Sequence, residues 1–192
     1  MKKEKNKMYT LLKTILCSLL KILYSPKVIG KENIPEEGPV IFAGNHRHSF
    51  DPLLVIMSTK RIVHFLAKKE LFKGLQGRIL LKAGLIRVDR KRPSPGIVKR
   101  SINILNNNGT IGIFPEGTRN KTDEELLPFK FGAVSMAQKT NAPIIPFAIK
   151  GKYRLFGRKL VIEFGKTIYV ETNNLEEAND NLRNEILNLF RK

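Results

Sequence analysis

The sequence predicts an α/β domain, a largely parallel central sheet flanked by helices, preceded by an N-terminal amphipathic helix. Three observations predict it. Short apolar runs rich in Ile, Val and Phe alternate with segments of helical periodicity, which is the pattern of strand–helix–strand units. Punctuation falls at the joints: Asp51-Pro52 and Ser94-Pro95 read as a cap followed by a first-turn proline, and Asn108-Gly109 reads as a stop. A basic run also precedes a one-sided apolar stripe at the N-terminus.

That N-terminal segment comes first in order. Residues 2 to 7 read Lys-Lys-Glu-Lys-Asn-Lys. Behind them, Met8, Leu11, Leu12, Ile15, Leu16, Leu19, Leu20 and Leu23 recur at helical spacing up to Tyr24, with Thr10, Lys13, Thr14, Ser18 and Lys21 on the other face. Spanning a bilayer takes about 20 apolar residues in succession, and Lys13 and Lys21 leave only seven uncharged residues between them. No small-residue cleavage site follows, which argues against a signal peptide. A helix lying in the interface of an anionic membrane fits the pattern. The alternative is a helix that packs its apolar face on its own domain. Residues 1–27 are therefore expected to be a membrane-association segment and 28–192 the folded domain that follows it. The expected location is the cell membrane, peripherally on its cytoplasmic face.

Strands are expected at Val40–Ala43, Ile62–Ala67, Leu85–Val88, Thr110–Phe114 and Ile144–Ile149. Helices are expected between them at Pro52–Ser58, Phe72–Lys82, Pro95–Asn107 and Phe129–Thr140. Beyond residue 150 the rhythm changes. Leu160–Phe164 and Thr167–Val170 read as strands broken at Gly165, and Leu175–Phe190 as a closing amphipathic helix. No repeat or linker divides the 192 residues, a length suited to one domain with a substantial core.

Composition narrows the partners. Thirty-five Lys+Arg against 17 Asp+Glu give a formal charge of +18, part of which follows a general richness in Lys, Asn and Ile. Such a surface attracts polyanions: nucleic acid, anionic membrane or acidic ligands. Nucleic acid fares poorly, because one cysteine allows no zinc-ligand spacing, no RNP-like or helix-turn-helix signature is visible, and tryptophan is absent. Cys17 also excludes an internal disulfide and reads as a small hydrophobe on its helix.

Two motifs carry chemistry. Asn45-His46-Arg47-His48-Ser49-Phe50-Asp51 follows a buried strand and ends at a helix start; Phe114-Pro115-Glu116-Gly117-Thr118-Arg119 closes another strand. Both loops are expected at the carboxyl ends of strands, where ligands bind in open α/β sheets. A histidine deprotonates a hydroxyl at neutral pH when a carboxylate holds its other ring nitrogen, and a five-residue spacing lets Asp51 fold back on His46. Asp51 has a second reading, as a mere helix cap. Arg90 and Arg119 are candidate phosphate ligands, since the guanidinium fork matches phosphate oxygens. Gly117 permits close backbone approach and Thr118 offers a hydroxyl, while Glu116 either holds a substrate or orders its loop.

With these residues laid out, the chain resembles the phospholipid/glycerol acyltransferase superfamily, in particular its bacterial 1-acyl-sn-glycerol-3-phosphate acyltransferases. Four blocks carry the resemblance in order: His46 to Asp51, Gly84 to Arg90, Phe114 to Arg119, and Ala142-Pro143-Ile144-Ile145-Pro146-Phe147. Lys69-Glu70-Leu71 matches a further segment, and the resemblance covers roughly residues 28 to 150. It implies His46 as general base with Asp51 as its partner, and Arg90, Glu116, Gly117, Thr118 and Arg119 as ligands of the glycerol phosphate. The implied reaction moves a fatty acyl chain from an acyl-carrier-protein or coenzyme A thioester to the sn-2 hydroxyl of lysophosphatidate, giving phosphatidate. Neither metal nor bound cofactor is implied, since the thioester is already activated. Arg47 and His48 fall where the family varies and receive no role; His64, on a strand, is read as structural.

Three rival readings remain open from sequence. A hydrolase using Ser49 lacks any G-x-S-x-G elbow. A non-catalytic, peripheral lipid-binding protein would need only the N-terminal helix and the charge. The same chemistry could also act on another acceptor, glycerol-3-phosphate or a different lysolipid.

Overall fold

Apolar strands at the expected positions pair into one sheet in the computed structural model, which describes residues 6–89, 95–157 and 159–192. In chain order the elements are α1 (Lys7–Tyr24), β1 (Lys27–Ile29), β2 (Val40–Gly44), α2 (Asp51–Ser58), β3 (Val63–Lys68), α3 (Gly74–Lys82), β4 (Ile86–Val88), α4 (Pro95–Asn106), β5 (Thr110–Ile113), α5 (Gly132–Thr140), β6 (Ile144–Lys150), β7 (Val161–Phe164) and α6 (Leu175–Arg191). Short 3-10 turns occupy Lys31–Asn33 and Lys69–Phe72. The sheet order is β1-β7-β6-β2-β5-β3-β4, and every pairing is parallel except β6 with β7. The predicted cap at Ser94 and the basic residues Lys2, Lys3 and Lys5 lie outside the described residues.

The central strands β2 and β6 read as nearly unbroken apolar runs because both faces of the sheet are covered there. Val40 and Phe42 of β2 point into one core with Leu54 and Val55 of α2 and with Tyr9, Cys17 and Leu20 of α1. Ile41 and Ala43 point into the other, with Leu105 of α4, Val134 of α5 and Leu182 and Ile186 of α6. Two expectations need correction. The three-residue β1, too short to show any periodicity, was not expected and pairs with β7 at the sheet's edge. Thr167–Val170 is not a strand: only Ile168 bridges back, to Ile144. The reason lies at Gly165. There the β6–β7 register slips by one residue, and a Cβ would meet Leu189 Cδ1 at 2.9 Å and Pro146 Cγ at 3.0 Å.

α1 has two apolar faces. Tyr9, Cys17 and Leu20 are buried inward against α2, and burial of the half-covered Lys13 ammonium holds its pKa below the usual lysine value while it donates to the Thr59 carbonyl. Leu11, Ile15, Leu19 and Ile22 lie two positions away, about 200° around the helix, and stay in solvent, with Ile22 67% exposed. The polar face read from sequence thus faces partly inward, because Tyr9 and Cys17 extend the apolar set beyond the leucines. Among the described residues no helix is long and apolar enough to cross a membrane.

The α1 C-terminus meets the loop between β6 and β7. The Phe156 amide donates to the Leu23 carbonyl at 2.6 Å, and Phe156 itself adopts a left-handed φ of 58°. Its side chain is 74% exposed and Leu155 is 62% exposed beside it.

Candidate active site

β2 and β5 are adjacent and parallel, so the loops that follow them emerge side by side at one edge of the sheet. Asn45 extends the end of β2: its side-chain amide donates to the Ile149 carbonyl at 2.9 Å and accepts from the Ile149 amide at 2.7 Å. The chain then turns, and His46 Nδ1 donates to Asp51 Oδ2 at 2.9 Å. The same oxygen accepts the amides of Arg47 and His48, both at 2.7 Å. Asp51 is fully buried and makes no capping bond to its own helix, so the cap reading of this residue fails. The His46 ring stacks on Phe114 at 4.0 Å with an interplanar angle of 13°. Its Nε2 has no hydrogen-bond partner among the described residues.

The second loop is stitched to the first. Glu116 Oε1 accepts the His46 amide at 2.8 Å and Oε2 accepts the Leu127 amide at 2.9 Å. Both oxygens of this buried carboxylate serve backbone, and desolvation raises its pKa above the usual carboxylate range in spite of those bonds. From the other side, the Asn120 amide donates to the His46 carbonyl at 2.7 Å. Arg119 Nη1 donates to Ser49 Oγ at 2.8 Å, bringing a guanidinium from 70 residues away to the histidine loop. Ser49 is bonded to arginine rather than to the histidine, which removes the structural basis of the hydrolase reading. Gly117 turns the loop at φ 67°, and Thr118 and Arg119 are exposed at its tip. Arg90 lies outside the described residues.

The arrangement therefore offers an oriented base, a braced loop and exposed cations at one sheet edge. A family described as Acyltransferase matches residues 25–150, more than half of the chain. A 1-acyl-sn-glycerol-3-phosphate acyltransferase of Bacillus subtilis (strain 168) is 36% identical over 146 residues, spanning 75% of this chain and 72% of its own length. This chain belongs to the acyltransferase family. A 1-acyl-sn-glycerol-3-phosphate acyltransferase of Borreliella burgdorferi is 32% identical over 151 residues, and the match spans 60% of that relative. The acyltransferase also shares its fold with the crystal structure of the 1-acyl-sn-glycerophosphate (LPA) acyltransferase PlsC from Thermotoga maritima. The TM-score is 0.73 at 23% identity, covering 95% of this chain and 77% of that one.

Two residues of the candidate site escaped the sequence, and a third was read without its role. Lys130 arches over the second loop, its Cε 2.9 Å from where a Cβ on Gly117 would stand, and adds a cation next to Arg119's loop. Only its position fifteen residues beyond Pro115, whose carbonyl accepts its amide, puts it there. Asn45 was legible as part of the first motif but not as the clamp between β2 and β6. Tyr153, three residues beyond the end of β6, reaches Asp51 Oδ1. His64, by contrast, is structural as expected, with Nδ1 donating to the Gly84 carbonyl at 2.6 Å.

Proposed function

We propose that this acyltransferase moves a fatty acyl chain from an acyl-carrier-protein or coenzyme A thioester to the sn-2 hydroxyl of 1-acyl-glycerol-3-phosphate. The observation that carries the reading is the His46–Asp51 pair, buried and oriented, in a loop whose Ser49 accepts a hydrogen bond from Arg119. Nε2 takes the hydroxyl proton as the oxygen attacks the thioester carbonyl. Asp51 stabilises the imidazolium, and the tetrahedral intermediate collapses to ester and thiolate, which takes the proton back. Arg119, the Thr118 hydroxyl and the Gly117 backbone receive the phosphate, with Lys130 close by and Arg90 joining them on the strength of its motif. Glu116 supports binding by holding the two loops together, since both of its oxygens are engaged. A thioester is already activated, so the step needs neither metal nor bound cofactor.

The acceptor sits in a membrane, and the molecule has the features to meet it there. The outward face of α1, Leu155 and Phe156 form an exposed apolar strip on a chain of net charge +18. We place it peripherally on the cytoplasmic face, where anionic headgroups attract basic residues. The test is transfer of labelled acyl groups from both thioesters to lysophosphatidate in anionic vesicles, with His46→Ala in parallel. Phosphatidate from the wild type alone supports the reading. Product only from another acceptor moves the substrate, and no product from any acceptor overturns the activity.

A further inference from the structure

Tyr153 belongs to neither motif, and no helix or strand contains it. Its hydroxyl donates to Asp51 Oδ1 at 2.7 Å. That is the carboxylate oxygen the other donors leave alone, because His46 Nδ1 and the amides of Arg47 and His48 all converge on Oδ2. Asp51 is fully buried, so solvent cannot replace the bond. On one side the Tyr153 ring stacks on His48 at 4.0 Å. On the other it stands edge-on to Tyr24, the last residue of α1, at 5.3 Å and 81°. Burial, and then the Asp51 charge, push the phenol well above the ordinary tyrosine range, so it remains a donor at any working pH.

We propose that Tyr153 is a positioning residue for acyl transfer, fixing the Asp51 carboxylate at its second oxygen so that the first stays aimed at His46. The inference rests on His46 being the base. Two effects follow from the geometry. A carboxylate held at both oxygens does not rotate away from the imidazole. Donation to Oδ1 also draws negative charge from Oδ2, so the imidazolium forms less readily than it would opposite an unshared carboxylate. Removing the hydroxyl loosens the aim and makes His46 take its proton at higher pH. The other ionisable groups around the pair and the Tyr153 ring remain in place in such a variant: Glu116 and Arg119 from the second loop, Arg47 and His48 from the first, and Tyr24 from α1 against the ring.

The experiment compares wild type, Tyr153→Phe, Tyr153→Leu and His46→Ala. It measures kcat and KM between about pH 5 and 9, the thermal midpoint, and the NMR titration of the His46 ring, which three histidines make assignable. Tyr153→Phe is expected to lower kcat at neutral pH about tenfold with KM within about twofold, and to move both the acid limb and the His46 titration up by about half a pH unit. Tyr153→Leu, which also loses the ring contacts, lowers the thermal midpoint in addition. Wild-type kcat in Tyr153→Phe, or a fall in kcat with an unmoved His46 titration, overturns the proposal, since loosened packing alone would not touch the titration. A His46→Ala enzyme that still transfers acyl groups brings down the base assignment itself, and does so in a separate sample.

Discussion

At the scale of the residue, burial decides what each side chain of the site can do. Asp51 takes one ring nitrogen of His46, the other has no hydrogen-bond partner among the described residues, and the His46 backbone is held at both the amide and the carbonyl. His46→Ala should therefore lower kcat about a thousandfold while the thermal midpoint stays near that of the wild type. Glu116 behaves differently. Glu116→Gln sets an NH2 against one of two backbone amides and should cost about 1–3 kcal/mol in urea unfolding. The pH dependence of that cost has a definite sign. A pKa raised by burial means the folded state holds the proton more tightly, so this contribution is present below the ordinary value of 4.5 and fades as pH rises through the folded value. The stability gap between wild type and Glu116→Gln should accordingly narrow from pH 4.5 toward neutrality. A gap that widened would reverse the assignment of desolvation as the dominant cause. His46, Asp51 and Arg119 were legible in the sequence because their types and spacing are chemical. Loop ordering by Glu116 was one of two readings the sequence left open, but its second partner was not legible, since Leu127, whose amide donates to Oε2, belongs to no motif.

At the scale of the element, α1 is where the sequence was least decisive and the structure most informative. Periodicity showed a helix but could not choose between membrane and domain; the structure packs one face on the domain, with Leu20 buried, and leaves Ile15 and Leu19 exposed on the other. Deleting the whole segment would strip the core of Tyr9 and Leu20, so it does not isolate membrane binding. Point substitutions do. Leu20→Ala should destabilise the fold by about 2–5 kcal/mol. Ile15→Ser with Leu19→Ser should leave the fold intact and weaken binding to anionic vesicles about tenfold in a flotation assay. Equal binding by the double variant would remove α1 from the membrane contact. The strands were easier to read. Burial on both faces makes β2, β5 and β6 continuous apolar runs, whereas β1 and the slip at Gly165 depend on partners more than a hundred residues away or on one residue of register.

At the scale of the whole molecule, the charge of +18 and the exposed apolar strip act at different ranges. Raising ionic strength from about 0.05 to 0.5 M should slow capture by anionic vesicles strongly, because exposed charges are screened beyond about a Debye length, and should change release much less. Stopped-flow mixing with fluorescent vesicles measures both rates; a salt effect confined to release would contradict this division. The α/β layering, the site at one sheet edge and the extent of the family match, residues 25–150, all agree with the motif order in the sequence. What the sequence left unread was how the β6–β7 loop returns to the site through Tyr153, since that loop has no regular pattern. Phe156 itself carries a consequence for how the enzyme can be altered. Its left-handed backbone, at φ 58°, suits glycine, and its ring, 74% exposed, suits lipid. Replacing it with glycine should raise the melting temperature in solution and lower the share of enzyme found on vesicles. Selection for a sturdier protein in the test tube would therefore work against any attachment made through this ring.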